Sequence, residues 1–206
     1  ASFAGDLRDS KSTSGAFLAL VGPNTFVPLT WMCKKQGAVS HSSSEAEVVS
    51  LDAGVRMEGI PALILWEQVI EVFCPKPKGE QNKPKRNASS SQHWSNKIDY
   101  VPANLPEPPN RAKLLILEDN DAVIKMTVKG RSPALRHVPR THRIDLDWLF
   151  ERIRVDPCID IRYVNTKLQI ADFLTKGQFT SAQWQSLCNL ANSLPDQLKK
   201  DNAGRK

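Results

Sequence analysis

A stretch rich in proline, lysine and serine divides this chain and limits where a folded core can form. Between residues 75 and 110, prolines alternate with lysines and a serine run, at Pro75, Pro77, Pro84, Pro102, Pro106, Pro108 and Pro109. Such a composition buries too little apolar surface to offset the entropy of ordering the chain. We therefore predict a disordered surface insertion at 75–110, with a functional basic arm as the alternative. The folded domain is expected to comprise 1–74 and 111–194, followed by a polar tail at 195–206.

The composition fits one domain of ordinary size. The 206 residues are 40% hydrophobic, with a mean hydropathy of −0.38, and no apolar run reaches the length of a membrane span. We expect an intracellular protein without a membrane segment. The four cysteines are far apart, which favours reduced thiols over a disulfide framework or a zinc site. The net charge of +6 permits a polyanionic partner without requiring one.

Hydrophobic periodicity predicts an α/β domain with a mixed sheet. Two apolar segments, Ser14–Val21 and Phe26–Cys33, flank Gly22-Pro23-Asn24 and predict a β-hairpin. A helical pattern runs from Glu45 to Phe73, with a kink expected at Gly59-Ile60-Pro61. The remaining elements are expected in the order strand, helix, helix, strand, short helix and helix, at Lys113–Leu117, Ala122–Met126, Ile144–Ile153, Cys158–Val164, Leu168–Thr175 and Phe179–Leu194.

Three acids stand at the boundaries of these elements: Glu45 at a helix start, Asp119 at a strand end and Asp172 in a late short helix. Ser43 or Ser44 is expected to cap the first helix, so Glu45 alone is explained by a favourable interaction with the helix dipole. Carboxylates gathered in one place, however, repel one another unless a divalent cation with oxygen ligands lies between them. A hard-metal site is therefore a second interpretation of these acids.

Other polar residues receive ordinary structural interpretations. Glu47 lies two residues beyond Glu45 and therefore points elsewhere on the helix, where a solvated position is expected. Asp121, Asp145 and Asp147 are interpreted as helix-start or surface acids. The histidines His137 and His142 are interpreted as surface groups rather than ligands.

Five motifs in order resemble the ribonuclease H domain of copia-type LTR retrotransposon Pol polyproteins. They are SKSTSGAFLAL, LTWMCKKQGAVSHSSSEAE, LILEDNDAVIKM, PRTHRIDLDWLFERI and YVNTKLQIADFLTK. The similarity runs from about Ala1 to about Leu194 and is interrupted by the insertion. It implies a ribonuclease H-like fold, with a five-stranded mixed sheet flanked by helices.

The resemblance also implies a function. It implies metal-dependent endonucleolytic hydrolysis of the RNA strand of RNA–DNA hybrids during reverse transcription. The partners would be the hybrid and a reverse transcriptase domain upstream in the same polyprotein, in the cytoplasm, a virus-like particle or the nucleus. Glu45, Asp119 and Asp172 match the family's catalytic carboxylates and would bind two Mg²⁺ ions, with Mn²⁺ as a substitute.

Two departures from the family pattern qualify this expectation. The family's first catalytic aspartate would lie just before Ala1, on a central strand that is expected to be largely missing from this chain. A catalytically inactive remnant with weak nucleic-acid binding is therefore the alternative function. The family's R-T-K-H-I-D also reads R-T-H-R-I-D here, which exchanges the positions of the imidazole and the cation.

The connector between the strand that ends at Asp119 and the late helix that contains Asp172 carries a basic run. Because a groove for duplex backbone needs phosphate contacts, we expect this run to bind the hybrid, with a solvated loop as the alternative. The residues are Lys129, Arg131, Arg136, Arg140 and Arg143.

Overall fold

The computed structural model describes residues 1–74 and 112–191. The predicted insertion at 75–110 and the polar tail at 195–206 lie outside the described residues. Within the described ranges the chain is a mixed α/β protein, as the periodicity predicted. None of the described helices combines the length and the apolar character that a membrane crossing needs.

The predicted hairpin is present. Strands β1 (Thr13–Gly22) and β2 (Thr25–Lys35) pair antiparallel, and the two residues between them close the turn. The register shifts between Leu18 and Ala19, where Pro28 lies opposite Ala19 and cannot donate a ladder hydrogen bond. At the other end of β1, Ser2 forms an isolated antiparallel bridge with Thr13.

The long helical pattern becomes two helices joined by a π-helical turn. Helix α1 (Ser43–Gly54) is followed by the π turn Val55–Gly59 and helix α2 (Ile60–Phe73). The break therefore lies just before the predicted Gly59-Ile60-Pro61, since Pro61 suits the first turn of a helix but not its interior. The N-cap is Ser42, whose hydroxyl accepts the backbone N–H of Glu45, rather than Ser43 or Ser44.

The second part of the chain places three α-helices between two parallel strands. Strands β3 (Leu114–Glu118) and β4 (Ile159–Tyr163) pair in parallel. Between and after them lie helices α3 (Asp121–Lys129), α4 (Val138–His142), α5 (Leu146–Val155), α6 (Asp172–Thr175) and α7 (Ser181–Leu190), with 3₁₀ turns at Pro133–Leu135 and Thr166–Leu168. Asn120 and Asp145 accept backbone N–H groups at the starts of α3 and α5, so Asp145 is a helix-start acid as expected.

The described strands form two separate sheets rather than one sheet of five strands. β1 pairs only with β2, and β3 only with β4, among the residues that the structure covers. The resemblance implies a five-stranded sheet whose central strand is largely missing from this chain, and the described residues form two two-stranded sheets.

The core lies between α1, α3, α5 and β4. Its most enclosed side chains include Val48 on α1, Val123 on α3 and Leu149 and Phe150 on α5, each at most 2% exposed. Helix α1 also contacts β1, so it lies between the hairpin and the layer formed by α3 and α5. This position fixes the rotation of α1 and therefore the directions of its acidic side chains.

Candidate functional site

The first two turns of α1 direct Glu45 and Glu47 into different surroundings. Residues two positions apart lie about 200° apart around a helix, at 3.6 residues per turn. Because Val48 and Leu51 are buried in the core, this rotation cannot relax. We describe the surroundings of Glu45 as the histidine group (His41, Glu45, His137 and His142) and those of Glu47 as the carboxylate group (Glu47, Glu118, Asp119 and Asp172).

Glu45 is almost fully enclosed by histidines. Its side chain is 1% exposed. Nε2 of His142 lies 2.9 Å from Oε1, and Nε2 of His137 lies 3.0 Å from Oε2. The backbone N–H of His41 donates to the same Oε2 at 3.0 Å, and Nδ1 of the His41 ring lies 3.6 Å from it. Both carboxylate oxygens of Glu45 are therefore engaged by imidazole.

The two distant histidines reach Glu45 because they flank helix α4. His137 is the residue before this short helix and His142 is its last residue. Arg143 then adopts a left-handed conformation (φ 56°), which ends the helix and turns the chain toward α5. The His142 side chain is 2% exposed, so its interpretation as a surface group is wrong. His137 is more exposed, but it also contacts Glu45 rather than water alone.

These contacts decide the ionisation of Glu45. Burial alone raises the pKa of this carboxyl. The hydrogen bonds from the His41 amide, His137 and His142 together outweigh burial, so the pKa of Glu45 is lowered from its ordinary value. Glu45 is consequently an anion at neutral pH, held by donors on two segments of the chain.

Part of the histidine group has the composition and spacing of a metal site. One ligand atom from each of His41, Glu45 and His137 lies within 4.8 Å of the other two. The Glu45 carboxylate is buried, whereas both rings are exposed to solvent. A candidate metal-binding triad therefore exists at the start of α1, although it is not the set of acids that the sequence predicted.

Glu47 belongs to a group of carboxylates. Its side chain is 18% exposed and forms an ion pair with the amino group of Ala1. Burial is the largest cause that raises the pKa of Glu47, the Ala1 ammonium opposes it, and the charges of Asp119 and Asp172 raise it further. The interpretation of Glu47 as a solvated residue is therefore wrong.

Glu118, the last residue of β3, is a further member that the sequence analysis missed. It is 7% exposed. Burial, followed by the negative charge of Glu47, raises the pKa of Glu118 to about 7, although the backbone N–H of Asn120 donates to its Oε1 at 3.1 Å. The two acids that end LILED, Glu118 and Asp119, could have indicated this member. The alternation of the strand did not show which of the two faces inward.

Asp172 is the last member of the carboxylate group. It begins the short helix α6 and is 8% exposed, and Nζ of Lys176 lies 2.6 Å from its Oδ2 one turn later. Helix α6 contacts β1 and β2, so Asp172 reaches the group from the hairpin side. Asp119 follows β3 directly, and its charge raises the pKa of Glu47.

The predicted set of Glu45, Asp119 and Asp172 is thus divided between the two groups. The charges of Asp119 and Asp172 act on Glu47, while the described partners of Glu45 are histidines. The SEAE motif contains both glutamates, and only the rotation of α1 separates them. The residue that the structure groups with Asp119 and Asp172 is therefore Glu47.

The predicted basic run lies on exposed surface, on the same segment as His137 and His142. All five side chains are exposed, and Arg131, Arg136 and Arg143 line an open groove with Leu135, Phe150 and the acids Asp145 and Asp147. The groove is therefore mixed in charge rather than uniformly positive. Lys129 lies at the end of α3 and Arg140 on α4.

The carboxylate group has the donor chemistry of a site for a hard divalent cation, although among the described residues only His41, Glu45 and His137 bring three ligand atoms within 4.8 Å of one another. All its donors are carboxylate oxygens, which Mg²⁺ and Mn²⁺ prefer. Burial is the main cause of the raised pKa values of Glu47 and Glu118, and the charges of neighbouring carboxylates raise both further. Comparison of the chain with protein-family models, with curated proteins and with solved structures finds no match in any of the three.

Proposed function

We propose that this chain is a ribonuclease H-type nuclease domain from a retrotransposon Pol polyprotein, acting on the RNA strand of RNA–DNA hybrids. The observation that supports it most is the carboxylate group, in which Glu47, Asp119 and Asp172 come from three separate segments and interact through their charges. A protein gains nothing in stability from collecting acids in this way, so a function that needs them is the better explanation.

The fold supports the same proposal. A five-stranded mixed sheet from which the central strand is omitted leaves one antiparallel pair and one parallel pair, and the described residues form two such pairs. The carboxylate group lies at the carboxyl end of β3, where ligand sites of α/β sheets commonly form. The ribonuclease H-like fold remains part of the proposal rather than a separate result.

The residues that would hold the metal are Glu47, Asp119 and Asp172, with Glu47 in the role that the resemblance implies for Glu45, and their oxygens would have to approach one another to share an ion. Divalent ions bound there supply charge stabilisation and a hydroxide nucleophile at neutral pH. The chain's own contribution is to hold these oxygens in a buried place against their repulsion. Lys176 orients Asp172 through its contact with Oδ2.

Glu118 would adjust the charge of the group. With a pKa of about 7, it carries a proton on about half of the molecules at neutral pH. A protonated Glu118 lowers the repulsion on Glu47, and an ionised one adds a fourth negative charge. This proton is therefore expected to leave as a divalent cation binds.

The exposed basic residues would position the substrate. Arginines contact phosphates through paired N–H donors, and such contacts bind a duplex without reading its sequence. Arg140 and Arg143 lie on or next to α4, whose histidines contact α1. Substrate contacts on this connector would therefore be held at a fixed distance from the carboxylate group.

The experiment is a cleavage assay with the 206-residue chain, an end-labelled RNA annealed to DNA, and Mg²⁺ or Mn²⁺. We expect cleavage of the RNA strand, abolished in Asp119→Asn. The matched control is Asp121→Asn, because Asp121 is an exposed acid two residues away that pairs with Lys125. Cleavage by Asp119→Asn at the wild-type rate would contradict the proposal.

The same assay distinguishes the alternative function. A wild-type chain that binds the hybrid in a fluorescence anisotropy titration, but cleaves it with neither metal, would overturn the nuclease proposal. That result would favour a noncatalytic remnant that retains nucleic-acid binding.

A further inference from the structure

We propose that His41, Glu45 and His137 form a binding site for Zn²⁺ or a chemically similar divalent transition metal, separate from the carboxylate group. The donor atoms are Nδ1 of His41, an oxygen of Glu45 and Nε2 of His137, all within 4.8 Å of one another. The site is distinct because its carboxylate is Glu45, which points to a different side of α1 from Glu47. It does not depend on the proposed nuclease activity.

Hydrogen bonding explains only part of this arrangement. His142 and His137 lie within hydrogen-bonding distance of Glu45, but the ring of His41 stands 3.6 Å from Oε2, beyond that range. The His41 and His137 rings nevertheless meet edge to face, with centroids 5.0 Å apart. Two imidazoles thus converge on one carboxylate oxygen from the solvent side, which is the arrangement that a shared cation requires.

The geometry needs only small movements to close around an ion. Zinc binds imidazole nitrogen at about 2.0–2.1 Å, so donors within 4.8 Å of one another must approach slightly. The movable groups are the exposed ones, since the His41 side chain is 69% exposed and that of His137 is 42% exposed. The buried Glu45 can remain in place. Water can complete the coordination from the open side.

His142 has the role of an orienting partner. Its Nε2 lies 2.9 Å from Oε1 of Glu45, and its side chain is buried. This contact fixes the carboxylate so that Oε2 faces His41 and His137. Partners of this kind typically change metal affinity roughly 10–100-fold when they are removed.

The donor set selects the class of metal. Two imidazoles and one carboxylate suit Zn²⁺ and its transition-metal neighbours, whereas Mg²⁺ prefers oxygen donors alone. The two groups of this protein would therefore bind different metals. An ion at the histidine group would join the start of α1 to the basic connector, because His137 precedes α4 and lies 92 residues beyond Glu45.

The test uses Co²⁺ as a visible probe and Zn²⁺ as the competitor, with the full chain. We expect Co²⁺ to give ligand-field absorption typical of nitrogen and oxygen donors, and one equivalent of Zn²⁺ to remove it. His41→Ala and His137→Ala should each weaken binding by more than the roughly 10–100-fold expected for His142→Asn. Both rings are exposed, so these variants should fold, as circular dichroism can verify.

The control addresses the free thiols. Cys33 and Cys74 are exposed and could bind the probe, so the double variant Cys33→Ser/Cys74→Ser is titrated in parallel and should bind as the wild type does. A spectrum dominated by thiolate charge transfer and lost in the cysteine variant would overturn the proposal. Unchanged affinity in both His41→Ala and His137→Ala would overturn it as well.

Discussion

Glu45 and Glu47 are the same residue type on the same helix, two positions apart, yet the structure gives them opposite environments. Glu45 is contacted by imidazoles that lower its pKa. Burial and the charges of other carboxylates raise the pKa of Glu47. The difference arises from the rotation of α1, which its buried residues fix against the core. The comparison teaches that the role of an acid in an SEAE motif is decided by helical phase and not by the motif.

A third acid of α1 provides a reference for the other two. Asp52 is buried and accepts two hydrogen bonds from Arg56 one turn later, at 2.7 and 2.5 Å. The pair joins a buried carboxylate to a half-exposed arginine within one helix, and the Arg56 guanidinium also lies 5.4 Å from the ring centroid of Trp148. Differences between variants of Glu45 and Glu47 can therefore be judged against it.

The largest expected effect concerns catalysis. Glu47→Gln should reduce Mg²⁺-dependent cleavage of the hybrid by roughly 100–1,000-fold, the range typical of losing one group that stabilises transition-state charge. Glu45→Gln should lose less than about tenfold, because Glu45 belongs to the histidine group. The rates are measured as kcat/KM on the labelled hybrid. The reverse order would support the sequence prediction that Glu45 is the catalytic glutamate.

The next effect concerns the pH dependence of stability at the carboxylate group. The pKa of Glu118 is raised from 4.5 to about 7, so the folded state binds more protons than the unfolded state between these values. The free energy of unfolding should therefore fall as pH rises through that window and level off above it. Glu118→Gln should remove the fall and be more stable than the wild type at pH about 8, by up to roughly 3 kcal/mol at about 1.4 kcal/mol per pKa unit.

Urea titrations at several pH values measure this difference. Glu151→Gln is the control, because Glu151 is an exposed glutamate on α5. A Glu118→Gln variant whose stability follows the wild-type pH profile would contradict the raised pKa.

Glu45→Gln should change stability in the opposite direction. Because the pKa of Glu45 is lowered in the folded state, its charge stabilises the protein above the ordinary pKa and less as pH falls through the folded value. The neutral amide should cost about 1–3 kcal/mol at pH about 7, since it leaves an imidazole donor without its acceptor. The difference from the wild type should narrow below pH about 4.5. If Glu45→Gln stabilised the protein at neutral pH, the result would contradict the opposite environments of Glu45 and Glu47.

The smallest effect is expected at the reference pair. Arg56→Met should cost about 1 kcal/mol, because it leaves the buried Asp52 carboxylate without its partner, although the half-exposed position of Arg56 lets water replace part of that contact. The change should be independent of pH across the neutral range. Thermal unfolding measures it, and a loss comparable to that of Glu45→Gln would show that the histidine group has no special role in stability.

Local sequence patterns predicted most elements of the fold. The hairpin, the two-part long helix, β3, β4 and the cap at Asp145 all depend on neighbouring residues, so their signals lie within short windows. The separation of the strands into two sheets depends on which edges meet, and periodicity carries no information about that. The insertion at 75–110 remains a prediction.

The sequence predicted only those members of the candidate site that stand at the end of a strand or helix. Asp119 and Asp172 stand at element ends, and the charges of both raise the pKa of Glu47. The histidine group was missed because His137 and His142 lie 92 and 97 residues from Glu45 and become its neighbours only through the packing of α3, α4 and α5. The choice between Glu45 and Glu47 required the rotation of α1, which follows from tertiary contacts.

The most direct test of two separate sites is a pair of calorimetric titrations, with Mn²⁺ and with Zn²⁺, on the wild type, Glu45→Gln and Glu47→Gln. We predict a crossed result: Glu47→Gln loses Mn²⁺ binding and keeps Zn²⁺ binding, while Glu45→Gln keeps Mn²⁺ binding and loses Zn²⁺ binding. Loss of both metals in the same variant, or loss of Mn²⁺ binding in Glu45→Gln alone, would contradict the division of α1 into two sites.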